Sequence, residues 1–284
     1  MADSSSQPDN PIAFVTTCKG RRHHLERTLP PIVAEAPGEI VVVDFDCPQK
    51  SADWAEANFP GVKAVRVTGR PEFHLAQARN IGAHATAAPW ICFVDADSVI
   101  SPGFVGWMRR NLREGHFYTQ DPAGKSLEAL SEGVVVCHRR AFAFVEGYDE
   151  TIRGWGAEDT DFYDRLALCN VANVYFPSGL VSSLPHGEDE RMRFYAVKNR
   201  QAQQMLNRTY RIAKHQVMHI MGIKTELAAD MRQKLYDQIE AAFAGWITDP
   251  SRPLPSVKIS VAAHDSLREP HKIFKQCTFT LSLQ

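Results

Sequence analysis

Apolar and polar positions follow two rhythms along the first two thirds of the chain. Short apolar runs read as strands: Ile12-Ala13-Phe14-Val15-Thr16, Glu39 to Asp44, Val62 to Val67, Trp90 to Val94 and Gly133 to Cys137. Between them, apolar residues recur every three or four positions. Arg22 to Val33 (Leu25, Leu29, Ile32, Val33), the alanine-rich Leu75 to Thr86, and Glu158 to Leu168 therefore predict helices. Pro30-Pro31 predicts an interruption of the first of these, and Ser101-Pro102 predicts the start of another, a cap followed by proline in the first turn. The unbroken apolarity of Ile40-Val41-Val42-Val43 predicts a strand buried on both faces. Beyond about Tyr175 the pattern loosens. Met192 to Met218 and Lys224 to Ala244 predict helices, and the tail from Lys258 predicts one or two strands. Strands alternating with helices predict an α/β fold, a mostly parallel central sheet flanked by helices on both faces.

Composition changes this picture little. Of 284 residues, 44% are hydrophobic and 23% charged, enough for a proper core, and the net charge of −1 gives no global pull toward nucleic acid or an anionic surface. No apolar run reaches the roughly 20 residues that span a bilayer. Residues 1–10 are polar, without the basic and apolar regions of a signal peptide, and read as a disordered leader. Six widely spaced cysteines without a C-x-x-C pair read as free thiols in a reducing cytoplasm. There is no internal repeat.

In a parallel sheet with helices on both faces, ligands sit beyond the carboxyl ends of the strands. Those ends carry acids here: Asp44 and Asp46 after the second strand, Asp95-Ala96-Asp97 after the fourth. Two acids one residue apart can converge on a hard cation such as Mn²⁺ or Mg²⁺, although a capping turn explains them as well. A second constellation is Gly154-Trp155-Gly156-Ala157-Glu158-Asp159. Acids in the first turn of a helix are favoured by its dipole alone. The flanking glycines and the indole of Trp155 also suit close approach by a sugar ring, with a carboxylate beside it as general base.

These segments together resemble the GT-A fold glycosyltransferases (nucleotide-diphospho-sugar transferases), of the inverting family 2 type, with a β-1,4-galactosyltransferase-like module. The resemblance spans roughly Pro11 to His186. It rests on Thr17-Cys18-Lys19-Gly20-Arg21-Arg22, Val42-Val43-Asp44, Ala78-Arg79-Asn80, Phe93-Val94-Asp95-Ala96-Asp97 and the Gly154 to Asp159 run. It implies nucleotide-sugar binding by Thr17, Arg21, Asp44, Arg79 and Asp95, with Asp44 on the base, usually uracil. It implies a metal on Asp97, with His186 as a further ligand, acceptor binding by Trp155, Gly156 and Glu158, and Asp159 as catalytic base. The leading residue Thr17 departs from the proline common in the family.

The expected activity is then metal-dependent transfer from a UDP-sugar to a hydroxyl of a glycan or other acceptor, with Mn²⁺ or Mg²⁺ and without nucleic acid. Two rivals stand beside it. A nucleotidyltransferase would carry a glycine-rich basic loop after the first strand, where Gly20-Arg21-Arg22 offers one glycine. A non-catalytic nucleotide-sugar or glycan-binding module would not need the acid pair Glu158-Asp159. The expected domains are 11–221 for the transferase and 222–284 for a helical and strand extension that packs on it or forms a homodimer. The expected location is the cytoplasm, with the inner face of a membrane as the alternative.

Overall fold

A computed structural model describes residues 11–123, 133–249, 251–266 and 272–282. The leader expected over residues 1–10 lies outside the described residues. Four parallel strands open the chain: β1 (Ile12–Cys18), β2 (Glu39–Phe45), β3 (Val62–Val67) and β4 (Trp90–Asp95), joined by α1 (Arg22–Ala34), α2 (Ser51–Asn58) and α3 (Leu75–His84). A short β5 (Ser98–Ile100) and α4 (Phe104–Asn111) lead to β6 (His116–Gln120), β7 (Val135–His138) and α5 (Arg139–Phe144). Then follow α6 (Glu158–Leu168), β8 (Ala172–Phe176), β9 (Val181–Ser183), α7 (Glu188–Met192), α8 (Arg200–Met221), α9 (Ala229–Thr248) and a hairpin of β10 (Ser256–Ser266) with β11 (Lys272–Ser282).

The central sheet has seven strands in the order β3-β2-β1-β4-β7-β6-β8. It is parallel except at β7, which runs against both β4 and β6. Alternation along each strand divides the apolar residues between two cores. Phe14, Val42, Cys92 and Val136 face the layer that includes Leu25, Leu29 and Phe104. Val15, Val41, Val43, Phe93 and Val135 face the layer that includes Ala78, Ala83 and Phe162. A third core joins Leu206, Tyr210 and Met218 of α8 to Ile239 and Phe243 of α9 and Val257 and Ile259 of β10. It draws on residues on both sides of position 221.

Several local expectations are corrected. Helix α1 continues through Pro30 and Pro31; two amide donors are lost there, but Leu29 and Ile32 are buried on the apolar face that the first core requires. Helix α4 starts at Phe104, not at Ser101-Pro102, because Gly103 takes a left-handed φ of 92° and the carboxylate of Glu35 accepts the amides of Gly103 and Val105, each at 2.8 Å. The helix expected over Met192–Met218 is broken. Lys198 Nζ binds the carbonyls of Arg193 and Tyr195 at 2.8 and 2.6 Å, and Asn199 caps α8 by accepting the amide of Ala202 at 3.0 Å. Helix α9 begins five residues later than expected and runs on to Thr248. The guanidinium of Arg139 donates to the carbonyls of Ala88 and Ala83, at 2.8 and 3.1 Å, and ties the start of α5 to the end of α3.

Candidate active site

The parallel strands end in a row. Thr17 of β1 is paired with Asp95 of β4, and Cys18 with Asp44 of β2. Thr17 and Asp44 are nearly enclosed there, at 5% and 6% exposure. Asp44 turns its carboxylate into its own loop: Oδ1 accepts the Cys47 amide at 2.7 Å, and Oδ2 accepts Ser51 Oγ and the Ala52 amide at 3.0 and 2.9 Å. That carboxylate organises the start of α2, where negative charge is favoured. Lys19 does the same between strands, its ammonium donating to the carbonyls of Phe45, Asp46 and Arg70 at 3.1, 2.9 and 2.6 Å.

Arg79 is the centre of the site. Helix α3 carries it at 2% exposure. Its Nη2 donates to Asp95 Oδ1 at 2.9 Å and its Nη1 to Asp159 Oδ1 at 2.6 Å, with Glu158 Oε1 at 3.5 Å. The Tyr148 ring lies under the guanidinium at 5.0 Å. Burial opposes the charge of Arg79, but Asp159, Tyr148, Asp95 and Glu158 outweigh it and hold the group charged. One cation cannot satisfy three acids. Burial therefore pushes Glu158 above its ordinary carboxylate range, and Asp159 well above it, with Arg79 opposing both shifts. Glu158 Oε2 is buried without a hydrogen-bond partner.

Asp97 lies just past the end of β4. The pairing of β5 with β9 (Ser98 opposite Ser183) and the bond from the Leu184 amide to the Asp97 carbonyl at 2.8 Å bring distant sequence back beside it. His186 Nε2 then lies 2.6 Å from Asp97 Oδ2, with Arg21 Nη1 3.4 Å from the same oxygen. One carboxylate and one imidazole converging on a point beside a basic group is a donor set that fits Mn²⁺ next to a phosphate. Burial works against the charge of Asp97, yet His186 and Arg21 hold its carboxyl below the usual range.

The Gly-Trp-Gly loop ends at Ala157, which takes a left-handed φ of 75° as it caps α6. Helix α8 holds this loop from below. Asn207 Nδ2 reaches the carbonyls of Arg153, Trp155 and Gly156 at 2.8, 3.2 and 3.0 Å, and Gln203 Nε2 reaches Arg153 at 3.0 Å. Gly154 has a left-handed φ of 74°, and a Cβ there would meet Gln203 at 2.5 Å and push aside the side chain that holds the loop. The indole of Trp155 is flanked by two guanidinium groups, Arg200 at 4.9 Å and Arg191 at 5.8 Å from the ring centre.

Comparison with known proteins bears on the fold that carries these residues. Residues 14–123 match the family model described as glycosyl transferase family 2, and residues 119–194 match that described as the N-terminal domain of galactosyltransferase. No curated protein matches the chain. Among solved structures, GalNAc-T7 with UDP, GalNAc and Mn²⁺ is similar at a TM-score of 0.52 and 14% identity, over 86% of this chain and 58% of that one. The mannosyltransferase PcManGT from Pyrobaculum calidifontis, in complex with GDP-Man and Mn²⁺, gives 0.53 and 15%, over 82% and 75%. S. aureus TarS gives 0.55 and 13%, over 82% of this chain and 43% of its own length. The chain has the GT-A glycosyltransferase fold. It spans little more than half of GalNAc-T7 and under half of TarS.

Within the GT-A fold the residues singled out in sequence gather in two linked groups. Arg79, Asp95, Glu158 and Asp159 make one, and Arg21, Asp97 and His186 the other, with Thr17 beside Asp95 in the sheet. Asp44 stands in the same row but directs both carboxylate oxygens inward. Trp155 and Gly156 lie on the adjacent loop. Sequence reading missed Gly133, where a Cβ would lie 2.1 Å from Asp95 Oδ2, and the two amides Gln203 and Asn207. The latter had a signal: they fall on the row with Leu206 and Tyr210, polar residues where a helix expected to pack should be apolar.

Among the described residues no helix is long and apolar enough to cross a membrane. All six cysteines are free. Cys47 is set apart from the rest. Cys18 beside it, outweighing burial, lowers its thiol to about 5, and its Sγ accepts the Gly20 amide at 3.1 Å.

Proposed function

We propose that this chain transfers a sugar from a nucleoside diphosphate-sugar, preferably a UDP-sugar, to the hydroxyl of a glycan or similar acceptor. The observation that carries this reading is Arg79, which ties the strand-end acid Asp95 to the acid pair Glu158-Asp159 beside the Asp97–His186 pair. Similar structures crystallised with UDP or GDP-Man and Mn²⁺ support a nucleotide donor and a divalent cation. The two matched family segments cover both halves of the arrangement.

In this reading Thr17 and Asp95 lie beside the nucleoside, and Asp44 shapes the loop that the base meets. Arg21 faces the diphosphate. Asp97 and His186 hold Mn²⁺, or Mg²⁺ in its place, which when bound neutralises charge on the departing diphosphate. Trp155 offers an apolar face to the acceptor ring and Glu158 a hydrogen-bond acceptor for its hydroxyls. Asp159 takes the proton of the attacking hydroxyl. Burial raises its affinity for protons, which makes it a stronger base than an exposed carboxylate. A single base with direct attack gives inversion at the anomeric carbon. The free cysteines suit a reducing compartment such as the cytoplasm.

The test is thermal unfolding with UDP, GDP and CMP, each with and without Mn²⁺. A ligand held only by the native state stabilises by about 2.7 kcal/mol at a hundredfold excess over Kd. The expected result is a rise with UDP that requires Mn²⁺ and is lost in Asp97→Ala. No shift with any nucleotide and metal would sink the transferase reading and leave a glycan-binding module.

A further inference from the structure

Beside the donor site, the first turn of α1 and helix α7 bring three more ligand-type side chains to one point. His23 Nε2 lies 3.1 Å, and His24 Nε2 3.5 Å, from the same atom, Oε1 of Glu190. One ligand atom from each residue lies within 4.8 Å of the other two. These contacts do not satisfy the carboxylate: Glu190 Oε1 is buried without a hydrogen-bond partner, and so is His24 Nδ1. A buried carboxylate oxygen left this way is costly. Two ligands about 2.1 Å from a tetrahedral ion stand about 3.4 Å apart. The two observed separations bracket that value, whereas an ordinary charge-assisted hydrogen bond is about 2.7–2.9 Å.

We propose that His23, His24 and Glu190 form a second cation site, separate from Asp97 and His186, selective for a transition metal of the zinc type. Two imidazoles and a carboxylate are a three-ligand zinc set that leaves a fourth position to water, whereas Mg²⁺ and Ca²⁺ favour oxygen alone. Its place in the fold gives it a task. Glu190 sits on α7, and the chain that follows crosses the loop after β1, where a Cβ on Gly20 would meet the Phe194 ring at 2.0 Å. Arg191 of α7 also covers Trp155. A cation bridging α1 to α7 fixes this segment over the donor site. The His24 ring lies 5.5 Å from that of His186, so the two sites are neighbours but share no ligand.

The experiment uses the full chain carrying Asp97→Ala, which disables the other pair. Co²⁺ is titrated in while the visible absorption of tetrahedral cobalt is followed, and Zn²⁺ is then used to displace it. The expected result is one equivalent of Co²⁺ with tetrahedral bands, displaced by Zn²⁺ and not by Mg²⁺. His23→Ala, at a side chain 52% exposed, and Glu190→Gln should each weaken binding about tenfold or more while melting as cooperatively as the parent. Absence of cobalt bands in the Asp97→Ala chain, or bands and affinity unchanged in both ligand variants, would overturn the proposal and leave an ion pair. A failure of UDP and Mn²⁺ to stabilise the wild type would sink the transferase reading and leave this site standing.

Discussion

Helix α6 separates two buried clusters of charge, and they are built on opposite rules. Below it, Asp149, Asp161 and Glu226 meet Lys214, Arg165 and Arg232, three acids against three bases. Lys214 Nζ lies 2.9, 2.7 and 2.9 Å from the three carboxylates, Arg165 Nε 2.9 Å from Asp161, and Arg232 Nη1 3.0 Å from Asp149. Tyr210 adds a hydroxyl to Asp149 at 2.8 Å. Burial works against the charge on Asp149 and Asp161, but Lys214 outweighs it and both carboxyls are held below the usual range. Above α6, three acids face Arg79 alone, and burial wins at Glu158 and Asp159. The balanced cluster sets a base against every acid and clamps α6, α8 and α9 together. The unbalanced one is short of positive charge in the place where, under the proposed function, an acceptor hydroxyl would deliver its proton.

The largest expected effect breaks the unbalanced side. Asp159→Asn removes the proposed base and should lower turnover about 10²–10⁴-fold. Its melting temperature should hold or rise, since two acids still face Arg79. A fall of many degrees with unaltered turnover per folded molecule would reverse the assignment and make Asp159 structural.

Lys214→Met strikes the other cluster and should do the converse. It leaves three buried acids facing two cations, a loss of about 3–5 kcal/mol of stability in urea titration. Nucleotide binding per folded molecule should be nearly unchanged. A loss below about 1 kcal/mol would mean that water or proton uptake already compensates this cluster.

A smaller effect lies where the two regions meet. Asn207→Leu removes three hydrogen bonds to the carbonyls of the Gly-Trp-Gly loop, at a cost of about 1–3 kcal/mol. The acceptor KM should rise more than the donor KM, because the loop carries Trp155 and not the nucleotide residues. Equal rises in both would show that the loop does not discriminate between the two substrates.

What sequence reveals divides along the same line. The strand ends were legible because buried parallel strands read as unbroken apolar runs and their terminal acids stand out: Asp44, Asp95 and Asp97 all lie where that logic puts them. The acid pair was legible because Trp155 and its glycines mark a turn. The balanced cluster was not legible. Lys214, Arg232 and Glu226 look like the solvated face of an amphipathic region, and only the packing of α8 and α9 turns them inward. Spacing also gave no sign that α1 would run through Pro30-Pro31, since burial of Leu29 and Ile32 decides it. Nor did it show that Asp44 would satisfy its own loop, a contact set by backbone geometry.

Acid titration of stability sharpens the comparison with the smallest signal. A carboxyl whose folded pKa is raised binds more protons in the native state, so stability rises as pH falls through that folded value. Glu158, Asp159 and Glu226 are of this kind, each through burial first. A carboxyl whose folded pKa is depressed contributes stability above its unfolded value, about 3.9 for aspartate, and that contribution is lost on further acidification. Asp149 and Asp161 are of this second kind. The melting temperature should therefore climb modestly as pH falls from neutral toward the ordinary carboxylate range, then fall below about pH 4. Asp159→Asn should reduce the climb and leave the fall in place, because Asp159 carries the largest rise of the three while the fall belongs to Asp149 and Asp161. A climb that survives intact in Asp159→Asn would place the raised proton affinity on Glu158 and Glu226 instead.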